Sequence, residues 1–175
     1  MGCGKSSVGR KLSELLCCRF MDLDEKIERR EGKSIADIFA EDGEGEFRRI
    51  EKEVLKDILD SPGGVPVILA LGGGAVMTEG SEEMVHEGTI CVYLKASVDT
   101  LVEHLSGETS GRPLLNNQSV MSSEVETSPL RKRILELMSL RAETYQRTAH
   151  ITIKTDGKSI DEIANEIIKL KHTIL

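Results

Sequence analysis

Met1-Gly2-Cys3-Gly4-Lys5-Ser6-Ser7 is the stretch from which the architecture of this chain is read. It is the back half of a phosphate-binding loop of the form GxxxxGK[ST]. In such a loop successive backbone N–H groups wrap an anion, and a helix then starts with its N-terminus aimed at the same charge. Gly2 and Gly4 suit the wrap, because glycine reaches the positive φ angles that an N–H cradle needs. Gly2, Cys3, Gly4, Lys5, Ser6 and Ser7 then line the phosphates of a nucleotide, Lys5 reaches the β and γ phosphates, and the Ser6 hydroxyl is offered to Mg2+, which prefers hard oxygen ligands. A flexible, positively charged chain end has a similar composition. Val8, Leu12, Leu15 and Leu16 decide against it, since helical spacing directly after Ser7 supplies the loop-then-helix context. The first glycine of the pattern, and the buried strand that delivers a chain into such a loop, would stand ahead of Met1. The expectation is therefore a natural start upstream of Met1.

Length and composition bound the rest. At 175 residues the chain is expected to form one domain, 1–175, with room for a real core. Its 39% hydrophobic and 30% charged residues are those of a soluble globular protein, and no apolar run approaches the roughly 18 residues of a membrane helix. No secretory signal pattern opens the chain, so a cytoplasmic location is expected. Cys3, Cys17, Cys18 and Cys91 lack CxxC spacing and read as free packing thiols. A net charge of -7 and only 3% aromatic residues disfavour nucleic acid, which asks for basic patches and stacking platforms. The expected partner is a small molecule, with no membrane or nucleic acid, and the protein a monomer.

Strand-type apolar stretches alternate with helical periodicities, the pattern of an α/β domain with a largely parallel sheet. Strands are expected at 19–22, 67–71, 89–94 and 151–154, and helices near 24–30, 34–40, 44–59, 97–105, 129–144 and 159–171. Ser34 with Asp37 reads as a capping box, and Pro129 as a first-turn proline. Residues 107–128, rich in Ser, Thr, Asn, Gly and Glu, read as a long loop of the functional kind.

Four constellations carry chemistry. Asp22 and Asp24 stand one residue apart at a strand end, where alternation points both to one side; beside a phosphate loop two carboxylates can hold magnesium through water and orient or deprotonate a hydroxyl. Asp24 reads equally as a plain helix N-cap. Leu71-Gly72-Gly73-Gly74-Ala75 closes a continuous apolar strand, at the edge where open α/β sheets bind ligands, and offers a backbone surface to a small substrate. Arg48 and Glu51, three apart on a helix, form a surface ion pair of little worth unless Arg48 receives a substrate carboxylate. Arg112 in the polar loop and Arg141 on the following helix are arginines that can close over phosphates or grip an acid; a solvated loop arginine is the plain reading of Arg112.

Taken together, MGCGKSSVGRKL (1–12), DLDEKIERREGKSIADIF (22–39), GEGEFRRIEKEVL (43–55), LALGGGAV (69–76), GRPLL (111–115) and LMSLRAETY (137–145) resemble the shikimate kinase family, in order and across almost the whole chain. The resemblance implies a three-layer α/β P-loop kinase fold of the nucleoside monophosphate kinase type, with a parallel sheet whose central first strand is missing here. Its neighbours would then stand about 10 Å apart, with unpaired backbone along both. It implies ATP-dependent phosphorylation of the 3-hydroxyl of shikimate in aromatic amino acid biosynthesis. Carried onto this sequence, it gives the ATP phosphates to Gly2 through Ser7, and magnesium to Ser6 with Asp22 helping through water. Asp24 becomes the base or orienting group, and Arg48, Gly73 and Arg141 hold shikimate, the arginines on its carboxylate. Arg112 comes from a lid at about 106–128, and Lys158 falls near adenine. The chain departs from the family in lacking an adenine-packing arginine at Val102-Glu103-His104-Leu105, and in a lid longer than usual between Leu115 and Pro129. Two other readings stand beside this one: an impaired nucleotide- or shikimate-binding protein, if the chain truly starts at Met1, and another small-molecule kinase such as one acting on gluconate.

Overall fold

The computed structural model describes residues 2–60, 66–106 and 128–174. The order is α1 (Lys5–Leu15), β1 (Arg19–Asp22), α2 (Leu23–Glu31), α3 (Ile35–Glu41), α4 (Gly43–Leu59), β2 (Val67–Ala70), a 3-10 turn (Ala75–Met77), α5 (Ser81–Gly88), β3 (Val92–Lys95), α6 (Val98–Ser106), α7 (Pro129–Thr148), β4 (Ile151–Lys154) and α8 (Ile160–Ile174).

Local chemistry sets the boundaries. Ser34 caps α3 by accepting from the Asp37 N–H, and Ser128 caps α7 ahead of Pro129. The α2 helix begins one residue earlier than expected, because Asp22 and not Asp24 is its cap: the Asp22 carboxylate accepts from the Asp24 N–H, and Gly32 ends the helix at φ 66°. Asp24 thus stands in the first helical turn, so strand alternation does not relate it to Asp22. The α5 helix and the 3-10 turn are not among the expected elements; in SEEMVHEG only Met84 and Val85 are apolar, too few for a period to show.

Both sheet pairings are parallel. Within the described residues β1 pairs with β2 from Arg19↔Val67 to Asp22↔Ala70, and β3 with β4 from Val92↔Ile151 to Lys95↔Lys154. Among the described residues the strands therefore form two pairs, in which β2 and β3 each have a single strand partner. One apolar face of α1 ties the pairs together. Val8 and Leu12 share a core cluster with Leu94 and Ile153 from the second pair and Ile68 from the first. Gly9 makes this possible, since a Cβ there would lie 2.6 Å from the Phe20 ring. Between the pairs lies a cavity of about 100 Å³, lined by Leu71, Val92, Tyr93 and Leu94, and also by Cys3 and Lys5 of the glycine loop. Cys91 lines it too, and burial pushes its thiol up to about 11. A second cluster, of Leu23, Ile27, Ile50, Val54 and Leu55, packs α2 against α4 and supports the carboxyl ends of β1 and β2.

Candidate active site

The glycine loop has the shape its sequence asks for. Gly2 and Gly4 take φ 63° and 76°, and α1 starts at Lys5 with no side-chain cap, leaving its first N–H groups directed to whatever binds in front of them. The α6 end seats the loop: a Cβ on Gly2 would meet Leu105 at 3.0 Å, and the His104 Nδ1 lies 2.7 Å from the Gly2 carbonyl oxygen.

From the loop, the site extends through Ser6. Its hydroxyl donates to Asp22 Oδ2 at 2.9 Å, while Asp22 Oδ1 takes the Asp24 N–H at 3.1 Å. One carboxylate thus ties the loop to the end of β1. Asp24 is half-buried, and its carboxyl is pushed above the usual range first by desolvation and then by the negative charge of Asp22; Lys5 and Arg48 pull the other way. Asp24 also sits against the glycine run, since a Cβ on Gly72 would lie 2.9 Å from Asp24 Oδ1 and 3.0 Å from Glu51 Oε1.

Arg48 and Glu51 correct the expectation of a surface pair. Glu51 is 1% exposed, and Arg48 Nη1 donates to it at 2.6 Å. Burial raises the Glu51 carboxyl while Arg48 opposes the shift. The guanidinium also reaches Glu44 at 3.3 Å and lies over Gly74. The buried carboxylate therefore fixes where Arg48 points. A signal for this exists in the sequence: Glu51 falls on the stripe of Phe47, Ile50, Val54 and Leu55, all buried. On the opposite flank of the glycine run Arg141 Nη1 donates to the Gly73 carbonyl at 3.2 Å, and the Tyr145 hydroxyl donates to the same oxygen.

The structure thus brings Gly2, Cys3, Gly4, Lys5, Ser6, Asp22, Asp24, Arg48, Gly73 and Arg141 into one neighbourhood. Ser7 stands exposed on the first turn of α1. Lys158 lies elsewhere, in the turn after β4, where its Nζ binds Glu166 at 2.5 Å. Arg112 and nearly all of the expected lid lie outside the described residues. Sequence reasoning gives Glu51, Tyr145 and His104 no place in the site: Tyr145 and His104 meet the glycine run and the glycine loop across the fold, which spacing does not reveal, and Glu51 is marked only by its position on the apolar stripe of α4.

The arrangement sets an uncapped glycine loop and the Ser6–Asp22 pair of oxygen groups beside a glycine run flanked by the buried Glu51 carboxylate, Arg48 and Arg141. Comparison with known proteins gives the same picture. A family model described as shikimate kinase matches residues 1–171. The chain is similar to the shikimate kinase of Thermus thermophilus, 41% identical over 169 residues covering 97% of this chain and 84% of that protein. It is 36% identical to the shikimate kinase of Dictyoglomus turgidum, covering 97% of this chain and 91% of that one. Among solved structures, shikimate kinase from Acinetobacter baumannii in complex with shikimate superposes with a TM-score of 0.86 at 32% identity, covering 99% of this chain and 89% of that one.

Proposed function

The chain belongs to the shikimate kinase family, whose P-loop kinase fold it shares and whose reaction is the phosphorylation of shikimate, and on that premise we propose how its residues divide the work. One observation carries the assignment: Asp24 lies within the fields of both Lys5 and Arg48 and against Gly72, so it bridges the phosphate-binding half of the site and the acid-binding half.

The loop from Gly2 to Ser7 cradles the phosphates of ATP, with Lys5 neutralising charge as the γ-phosphoryl group moves. Arg48 and Arg141 hold the shikimate carboxylate, for which guanidinium offers a two-pronged fork, and Gly73 supplies backbone against the ring. Asp24 accepts the proton of the 3-hydroxyl as the new oxygen–phosphorus bond forms and the bond to the departing ADP breaks. Burial and the charge of Asp22 raise the Asp24 carboxyl, which makes it the better proton acceptor, while Lys5 and Arg48 favour its ionised form. In this assignment Arg112, which lies outside the described residues, goes to the ATP phosphates, and Lys158 to the adenine side. The reading includes a monomeric, cytoplasmic enzyme with no nucleic-acid or membrane partner.

Magnesium fits the residues present. The Ser6 hydroxyl and the Asp22 carboxylate are hard oxygen donors already 2.9 Å apart, and Asp22 can act through water. When bound, the ion offsets phosphate charge; Ser6 and Asp22 are the residues that hold it.

An assay of ADP release with shikimate, gluconate and nucleoside monophosphates as competing acceptors tests this reading. Turnover with shikimate alone is expected. Preference for another acceptor would overturn it.

A further inference from the structure

The carbonyl groups of the glycine run are all engaged. Gly72 O accepts from the Ala75 N–H at 3.2 Å, Gly74 O from the Met77 N–H at 2.9 Å, and Gly73 O from Tyr145 and Arg141. The N–H groups of Gly73 and Gly74 have no acceptor among the described residues. In a planar trans peptide the C=O and the next N–H point in opposite directions. Holding the Gly73 oxygen toward α7 therefore turns the Gly74 N–H away from α7, where Arg48 lies over Gly74.

We propose that Tyr145 is a positioning residue for the acceptor: its hydroxyl locks the Gly73–Gly74 peptide so that the open Gly74 N–H faces the shikimate site beside Arg48. This rests on the acceptor reading above. Consecutive glycines sample many backbone states, and a lock is needed to hold one of them before substrate arrives. Tyr145 can serve because its own position is fixed: its ring packs 5.3 Å from that of Tyr93 and against the cluster that supports α4. The second donor to the same oxygen, Arg141, stands one helical turn earlier and is the one that a carboxylate ligand recruits. When Arg141 turns to the ligand, the Tyr145 hydroxyl keeps the peptide in place.

Tyr145→Phe removes the hydroxyl and keeps the ring. Shikimate Kd by calorimetry and shikimate KM are expected to rise about 10-fold, the ratio that one hydrogen bond of about 1.4 kcal/mol commands. ATP KM should stay within about twofold and Tm within about 2 °C, since a packing role would move Tm and both substrates together. Unchanged shikimate affinity in the variant, beside an unaltered chain that binds shikimate, overturns the inference alone. Equal losses for ATP and shikimate with a lowered Tm also overturn it. An unaltered chain that binds no shikimate removes the acceptor reading, and this inference with it.

Discussion

The guanidinium of Arg48 rests on the backbone of Gly74 so closely that a Cβ at Gly74 would stand 2.5 Å from Nη2 and 2.6 Å from Cζ. A Cβ there meets the far end of the Arg48 side chain, which must shift to admit it. Gly74→Ala must push Arg48 off the glycine run and strain its bond to the buried Glu51. We expect a loss of about 1–3 kcal/mol in stability, together with a raised shikimate KM. Thermal melting and shikimate titration check it. An alanine variant with parental affinity would mean that Arg48 is not the acid receptor.

Lys5 lines the cavity beside the glycine run and is half-buried, with no side-chain hydrogen bond or ion pair among the described residues. Lys5→Ala should therefore fold normally while kcat falls by about 100- to 1,000-fold, the usual cost of one preorganised donor to a developing negative charge. Single-turnover phosphate transfer is the measurement.

Arg48→Ala separates the two halves of the site. It leaves the glycine loop and the Ser6–Asp22 bond untouched. Shikimate KM should rise at least about 30-fold, the ratio of about 2 kcal/mol for a lost buried charge partner, with ATP affinity retained. Loss of ATP binding at unchanged shikimate affinity would refute the assignment. Glu51→Gln should show a smaller rise in the same direction, because Arg48 then loses its anchor.

Burial and the Asp22 charge raise the Asp24 carboxyl above its usual value, so its charged form costs the folded state. Below the unfolded carboxyl's ordinary range both states hold the proton and nothing is lost. As pH rises through the raised folded value, the fold must ionise Asp24 or keep a proton that the unfolded chain has released, and stability falls. Asp24→Asn should therefore be inactive yet more stable than the parent at neutral pH, with the difference vanishing near pH ~3.8 and below. In the active parent, the acid limb of kcat/KM should lie above the usual aspartate range. Melting curves and pH–rate profiles decide both.

Where pattern and side-chain chemistry are local, the sequence is readable. Val8 and Leu12 announce α1, the Ser34–Asp37 box sets α3, a continuous apolar run marks β2, and the alternation of Ile151 and Ile153 marks β4. Asp24 is misplaced by spacing alone, because a strand period does not hold once the chain has turned into a helix. Arg48–Glu51 is undervalued because i,i+3 spacing is the same for a solvated pair and a buried one; only packing against Phe47 and Ile50 tells them apart.

By itself, then, the sequence determined a phosphate loop feeding a helix, an α/β alternation and the residue types of an acid-binding kinase site, because each depends on the order of neighbours along the chain. Only the tertiary structure decided that the described strands form two pairs bridged by α1, that Glu51 is buried behind Arg48, and that Tyr145 from α7 holds the Gly73 carbonyl. The strand pairing and the Tyr145–Gly73 bond join residues far apart in sequence, and the burial of Glu51 depends on what packs against its face of α4. They are set by which faces must leave water together, and no spacing along one element encodes that.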